Sequence, residues 1–157
     1  MAIEANAPDI SASLAGLFPA ASNAAEETSA LGERAARLLR PGTVVGLTGP
    51  LGSGKTQFVK GICTGLGHGP LTVTSPTFTI IHEYVGGDVP VYHIDAYRIR
   101  DADEIVRLGG EDYLSGDGIC LIEWAERVGV VLPEDTVWLK FESMGKNERR
   151  ISLYKPA

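Results

Sequence analysis

Gly49-Pro50-Leu51-Gly52-Ser53-Gly54-Lys55-Thr56 fits the pattern GxxxxGK[ST] at every fixed position. Glycine at 49, 52 and 54 permits backbone turns that a side chain would block, so several N–H groups can point inward at phosphate oxygens. Lys55 can reach the β- and γ-phosphates as a point charge, and the Thr56 hydroxyl can ligate Mg2+. A helix starting near Lys55 would bring its positive end to the same anion. The candidate nucleotide-contacting residues are Gly49, Leu51, Gly52, Ser53, Gly54, Lys55, Thr56 and Gln57, with Lys55 also a catalytic candidate. The competing reading is a glycine-rich turn that happens to hold a lysine.

The flanks favour the phosphate loop. Residues 43–48 are a short, mostly apolar, β-branched run, as a buried parallel strand requires. Beyond the loop, Phe58, Val59, Ile62, Cys63 and Leu66 recur at helical spacing, and Gly65 and Gly67 offer stop signals. Strand, glycine loop and helix follow in the required order. Elsewhere, Ser22 is placed to N-cap a helix over 22–40, with Thr28, Leu31, Ala35, Leu38 and Leu39 on one face and Pro41-Gly42 ending it. Residues 78–84 and 89–95 read as a hairpin or adjacent strands, and 103–108 as a short helix. Ile119-Cys120-Leu121-Ile122 reads as a buried strand ending at Glu123, and 136–142 with 149–155 as a terminal hairpin. The expected fold is α/β, a single-domain P-loop NTPase with a mixed, partly parallel sheet. Residues 1–21, rich in Ala, Ser and Pro without a period, read as a flexible extension, and 22–157 as the folded domain.

At 157 residues the chain suffices for one domain with a real core. Cys63 and Cys120 both lie in apolar runs, which favours buried thiols over a disulfide or metal site. No run reaches the apolar length of a membrane span, and no basic segment leads into an apolar one at the start, so a cytoplasmic location without membrane contact is expected. The net charge of −6 argues against strong nucleic-acid binding by the chain alone, and DNA is not an expected partner. Charge is uneven: residues 1–33 carry five acids and no Lys or Arg, whereas 140–155 carry five bases against two acids. That basic end reads as a solvated hairpin or as a docking surface.

An ATPase needs an acid near Mg2+, a group that orients water, and a sensor of the γ-phosphate. Asp95 and Glu123 each end an apolar strand, where carboxyl ends of parallel strands face the ligand. Either could hold Mg2+ directly or through water, or be a plain surface carboxylate. Thr77, in Ser75-Pro76-Thr77-Phe78, could sense the γ-phosphate from a proline-stiffened loop. Arg98 and Arg100 could neutralise charge or simply be solvated. His68, His82 and His93 lack metal-ligand spacing and read as structural. Trp124 reads as core or as a neighbour of the nucleotide.

Taken in order, GPLGSGKT, SPTF at 75–78, HIDAYR at 93–98 and the Glu-Trp pair of ICLIEW resemble the TsaE family, over residues 22–153. That family is the ATPase component of the bacterial system making threonylcarbamoyladenosine in tRNA. The resemblance implies ATP or ADP and Mg2+ as cofactors, TsaD and TsaB proteins as partners, and tRNA reached only through them. It implies hydrolysis that permits turnover of that complex, slow in the isolated chain. It places Lys55 and Thr56 at phosphate and Mg2+, Glu123 as the metal-side acid, and Thr77 and Asp95 on nucleotide-sensing loops. Ala96 stands where the family usually has leucine, a packing change. The alternatives are a small-molecule kinase and a nucleotide-dependent interaction module built on the same loop.

Overall fold

The structure, a computed structural model, describes residues 9–69 and 80–156. Its elements run α1 (Ile10–Leu14), β1 (Ala20–Ser22), α2 (Ala25–Ala36), β2 (Val44–Thr48), α3 (Lys55–Gly65), β3 (Ile81–Tyr84) and β4 (Val91–Asp95). Then follow α4 (Ala102–Arg107), α5 (Gly110–Leu114), β5 (Ile119–Glu123), a 3-10 segment (Ala125–Val131), β6 (Val137–Ser143) and β7 (Arg149–Tyr154). The strands form one sheet in the order β1-β7-β6-β2-β5-β4-β3. Its centre, β6-β2-β5-β4, is parallel, while β3, β7 and β1 join antiparallel at the two sides. The mixed, partly parallel α/β sheet expected from sequence is what the chain forms.

The strand alternation sorts the core into two halves. Val45, Leu47, Val91, Ile119, Leu121, Leu139 and Phe141 pack with α2 and α3. Val44, Ile94, Cys120 and Ile122 pack against α4, α5 and the 3-10 segment on the opposite face. β2 and β5 are buried at every residue, as strands covered on both faces must be. Both cysteines are buried free thiols, each pushed up to about 12 by burial. The helix α3 lies close against α2. A Cβ on Gly61 would meet the Ser29 carbonyl oxygen at 2.0 Å, and one on Gly32 the Phe58 carbonyl oxygen at 2.4 Å. These glycines let the phosphate-loop helix sit backbone to backbone on its neighbour.

Two expectations for the first forty residues change. The helix starts at Ala25 with Ala24 as its N-cap, not at Ser22. Ser22 belongs to β1 and stays useful to the helix: its hydroxyl donates to the Ala24 carbonyl at 3.0 Å and pairs with Thr28 Oγ1 at 2.6 Å. Glu27 reaches back to accept from the Asn23 N–H, one residue before the N-cap. Residues 9–21, expected in a flexible extension, are folded onto the sheet. Leu14 and Phe18 are 1% and 4% exposed, Phe18 packs on Phe58, and β1 pairs with β7. Hydrophobic burial of two large side chains outweighs the weak local propensity there. The terminal hairpin, the β3–β4 pair and the buried strand before Glu123 form as expected.

Candidate functional site

The loop between β2 and α3 makes three turns in the left-handed half of backbone space, Gly49 at φ 145°, Gly52 at 76° and Gly54 at 102°. Gly49 also needs to be glycine for room, because its Cβ would meet the Phe141 carbonyl oxygen at 2.5 Å. Gly54 serves as the N-cap of α3 without a capping side chain, so the first N–H groups of α3 lack a side-chain acceptor. Ser53 Oγ is buried and has no hydrogen-bond partner among the described residues. An unpaired buried hydroxyl costs about 1–3 kcal/mol, which an anionic oxygen in the loop would offset.

The sheet brings two acids to this loop. In the parallel register Glu123 stands beside Leu47 of β2 on one side and Asp95 of β4 on the other. The period of two then puts His93 and Asp95 on the face that carries Leu121 and Glu123, the face under α3. Thr56, in the first turn of α3, points down at this row. Its hydroxyl lies 2.8 and 3.1 Å from the two Glu123 carboxylate oxygens. The other contact to Glu123 comes from His93, Nε2 to Oε2 at 2.6 Å, with His93 0% and Glu123 4% exposed. Asp95 accepts from the Tyr97 N–H at 3.0 Å. Burial pushes its carboxyl above the ordinary value, partly opposed by that hydrogen bond, with Glu123 adding to the rise.

Lys55 is folded back on the loop, donating to the carbonyls of Gly49 and, at 3.0 Å, Pro50. Its Nζ lies 4.1 Å from the centroid of the Trp124 ring. Burial holds the ammonium below its usual range, and Glu123, Glu126 and Asp95 offset part of that. Trp124 takes φ 59°, a conformation uncommon for a bulky side chain, as the chain turns from β5 into the 3-10 segment. That turn throws the indole over the loop, where Tyr97 packs on it at 5.0 Å.

Together these groups line a cleft of about 300 Å³: residues 51–57, Asp95, Tyr97, Glu123 and Trp124. Of the residues singled out in sequence, Leu51, Gly52, Ser53, Gly54, Lys55, Thr56, Gln57, Asp95 and Glu123 meet there. Gly49 borders the adjoining groove instead. Thr77 lies outside the described residues. Arg98 and Arg100 are exposed and do not line the cleft. His68 is structural as read, its Nε2 2.9 Å from the Val89 carbonyl oxygen. The sequence reading does not single out two contributors: Tyr97, and His93, which reads as structural although it stands two before Asp95 on one strand.

The chemistry of the donors is that of a hard-cation and anion site. Among the described residues no group of three or more His, Cys, Asp or Glu could hold a metal by itself. One hydroxyl and two carboxylates suit Mg2+, which is commonly held by one or two protein carboxylates with phosphate oxygens and water making up the rest.

Comparison with known proteins identifies the family. The family model described as “Threonylcarbamoyl adenosine biosynthesis protein TsaE” matches residues 22–151. The chain belongs to the TsaE family. It is 44% identical over 128 residues to the tRNA threonylcarbamoyladenosine biosynthesis protein TsaE of Bacillus subtilis, covering 82% of this chain and 79% of that one. To the protein so named in Treponema pallidum it is 40% identical over 132 residues, 84% of this chain and 96% of that one. The crystal structure of Bacillus subtilis YdiB superposes with a TM-score of 0.72 at 37% identity, over 87% of this chain and 83% of that one. Membership of the TsaE family places the chain in tRNA threonylcarbamoyladenosine biosynthesis, on a P-loop NTPase fold. Among its described residues no helix is long and apolar enough to cross a membrane.

Proposed function

We propose that this TsaE-family chain binds ATP with Mg2+ and hydrolyses it in the cytoplasm, acting on tRNA only through a complex with TsaB and TsaD proteins. The observation that carries this reading is the Thr56–Glu123 pair beside a glycine loop whose buried Ser53 hydroxyl has no partner among the described residues. The loop N–H groups and Lys55 would hold the phosphates, and Thr56 with Glu123 the metal. Bound there, Mg2+ would neutralise charge building up on the phosphate oxygens. Lys55 must leave the Gly49 and Pro50 carbonyls to do its part, and Trp124 and Tyr97 line the cleft beside it. Asp95, one strand over from Glu123 and held by the Tyr97 N–H, would orient a water.

The test is thermal stability with steady-state hydrolysis. At a hundred times its dissociation constant, ATP–Mg2+ adds about 2.7 kcal/mol of stability. That corresponds to a melting shift of roughly 5–11 °C for a domain this size. Lys55→Ala is expected to lose most of the shift while keeping the nucleotide-free melting point. An equal shift in the variant removes Lys55 from the site. Hydrolysis is measured with and without the two partner proteins. A groove of about 570 Å³ adjoins the loop at Gly49, Pro50 and Trp124, so small phosphoryl acceptors belong in the same assay. Acceptor-stimulated consumption would favour a kinase, and binding without turnover under any condition an interaction module.

A further inference from the structure

We infer that His93 is a positioning residue, fixing the Glu123 carboxylate so that it and Thr56 can share one magnesium ion; this rests on the ATPase reading above. The placement of His93 is specific. In register it faces Leu121 across the β4–β5 ladder, and Val91 precedes it on the same face; all three are buried. A leucine or valine would fill such a position at no electrostatic cost, whereas a buried imidazole is costly unless its polar atoms are paired. One of them is paired, with the functional acid rather than with backbone. The ring reaches diagonally to Glu123, two register pairs further along the parallel ladder and next on the same face. At 2.6 Å the contact is short even for a charge-assisted bond.

The chemistry fixes its direction. An ionised carboxylate only accepts, so Nε2 carries the proton and donates it to Oε2. Nδ1 has no hydrogen-bond partner among the described residues. Without cation, Glu123 is held from two sides, by Thr56 above and His93 behind. A metal ion would take a lone pair of the Thr56 oxygen and leave its O–H free to donate to Glu123. His93, 0% exposed and enclosed by the sheet, keeps its hold. Residues standing behind metal ligands commonly set ligand orientation, and losing one weakens metal affinity about 10- to 100-fold.

His93→Leu removes the donor at similar size, and His93→Gln returns an N–H near the position of Nε2. Calorimetry with ADP, titrated with Mg2+ and again in chelator, separates metal from nucleotide without turnover. His93→Leu is expected to weaken the Mg2+-dependent part about tenfold or more, and to leave metal-free ADP binding within twofold. His93→Gln is expected to recover most of the loss. A folded His93→Leu whose Mg2+ dependence stays within twofold of the parent overturns the inference, and His93 is then core alone. A parent chain that binds no nucleotide overturns the ATPase reading and this inference together. Should His93→Leu not fold, nitrogen NMR on the parent decides. An Nε2-protonated ring whose signal moves when Mg2+ joins ADP supports the inference, and one indifferent to Mg2+ overturns it.

Discussion

Asp95 carries a charge that its surroundings resist. Its folded-state pKa lies above the ordinary carboxylate value, chiefly through burial. The folded state therefore holds this proton to higher pH than the unfolded chain does, and the contribution of Asp95 to stability falls as pH rises through that window. At neutral pH the ionised side chain costs stability, and acid relieves it. Asp95→Asn keeps an oxygen for the Tyr97 N–H and drops the charge. It is expected to raise the nucleotide-free stability at pH 7 by about 0.5 kcal/mol or less, since the side chain is half-buried and water screens it. The gain should vanish toward pH 4, while hydrolysis falls at least tenfold. Melting curves from pH 4 to 8 check it, and a variant less stable than the parent at pH 7 defeats it. The residues of this site were unequally legible. Lys55 and Thr56 follow from fixed spacing, and Asp95 and Glu123 from ending apolar strands. The role of His93 was not read, because a lone histidine shows no ligand spacing. Its signal was weaker: the period of two that it shares with Asp95.

Between α2 and α3 the contact is made by absent side chains. The crossing leaves no room for a methyl group at Gly61, whose added Cβ would strike the Ser29 carbonyl oxygen. The same contact aligns Ser29 with Gln57, whose Nε2 donates to the serine hydroxyl at 2.8 Å. Gly61→Ala is therefore expected to destabilise the fold by about 1–3 kcal/mol or more through overpacking, despite the better helix propensity of alanine. Gly145→Ala, in open space, should stay within about 0.5 kcal/mol. Urea titration of both variants decides it, and equal midpoints would mean that α2 readily gives way. Strong local patterns made most of the sheet readable: the all-apolar run of β5, the loop-flanked β2 and the alternating β6 and β7. The segment 9–21 was not readable. β1 is three residues of Ala and Ser, and only its pairing with a strand near the other end of the chain makes it a strand. Ser22 looked like a helix cap because serine favours that position, and tertiary pairing overrode the preference. α5 and the 3-10 segment are short and carry no period long enough to see.

Seen entire, the molecule gathers its chemistry at one end of the parallel centre, where exposed Leu51 and Tyr97 flank the cleft at 80% and 45% exposure. Apolar side chains beside the proposed nucleotide cleft suit a partner that senses the occupant. Affinity for TsaB–TsaD is expected to differ between ATP-analogue and ADP states by about 1–3 kcal/mol, or 5- to 150-fold. Calorimetry under each nucleotide measures it, and equal affinities would remove the switch while sparing the hydrolysis. The acidic balance of the chain fits an agent that leaves RNA contact to others. The pairing of the first strand with the last has a consequence for how the protein comes into being. A ribosome issues residues in order, and Glu123 follows Thr56 by 67 positions. At about 5–20 residues per second, the nascent loop waits roughly 3–13 s for its carboxylate. β6, which flanks β2 on the other side, arrives later still, and β1 stays unpaired until β7 has been made. The growing chain thus carries its glycine loop well before the carboxylate that the candidate site places beside it.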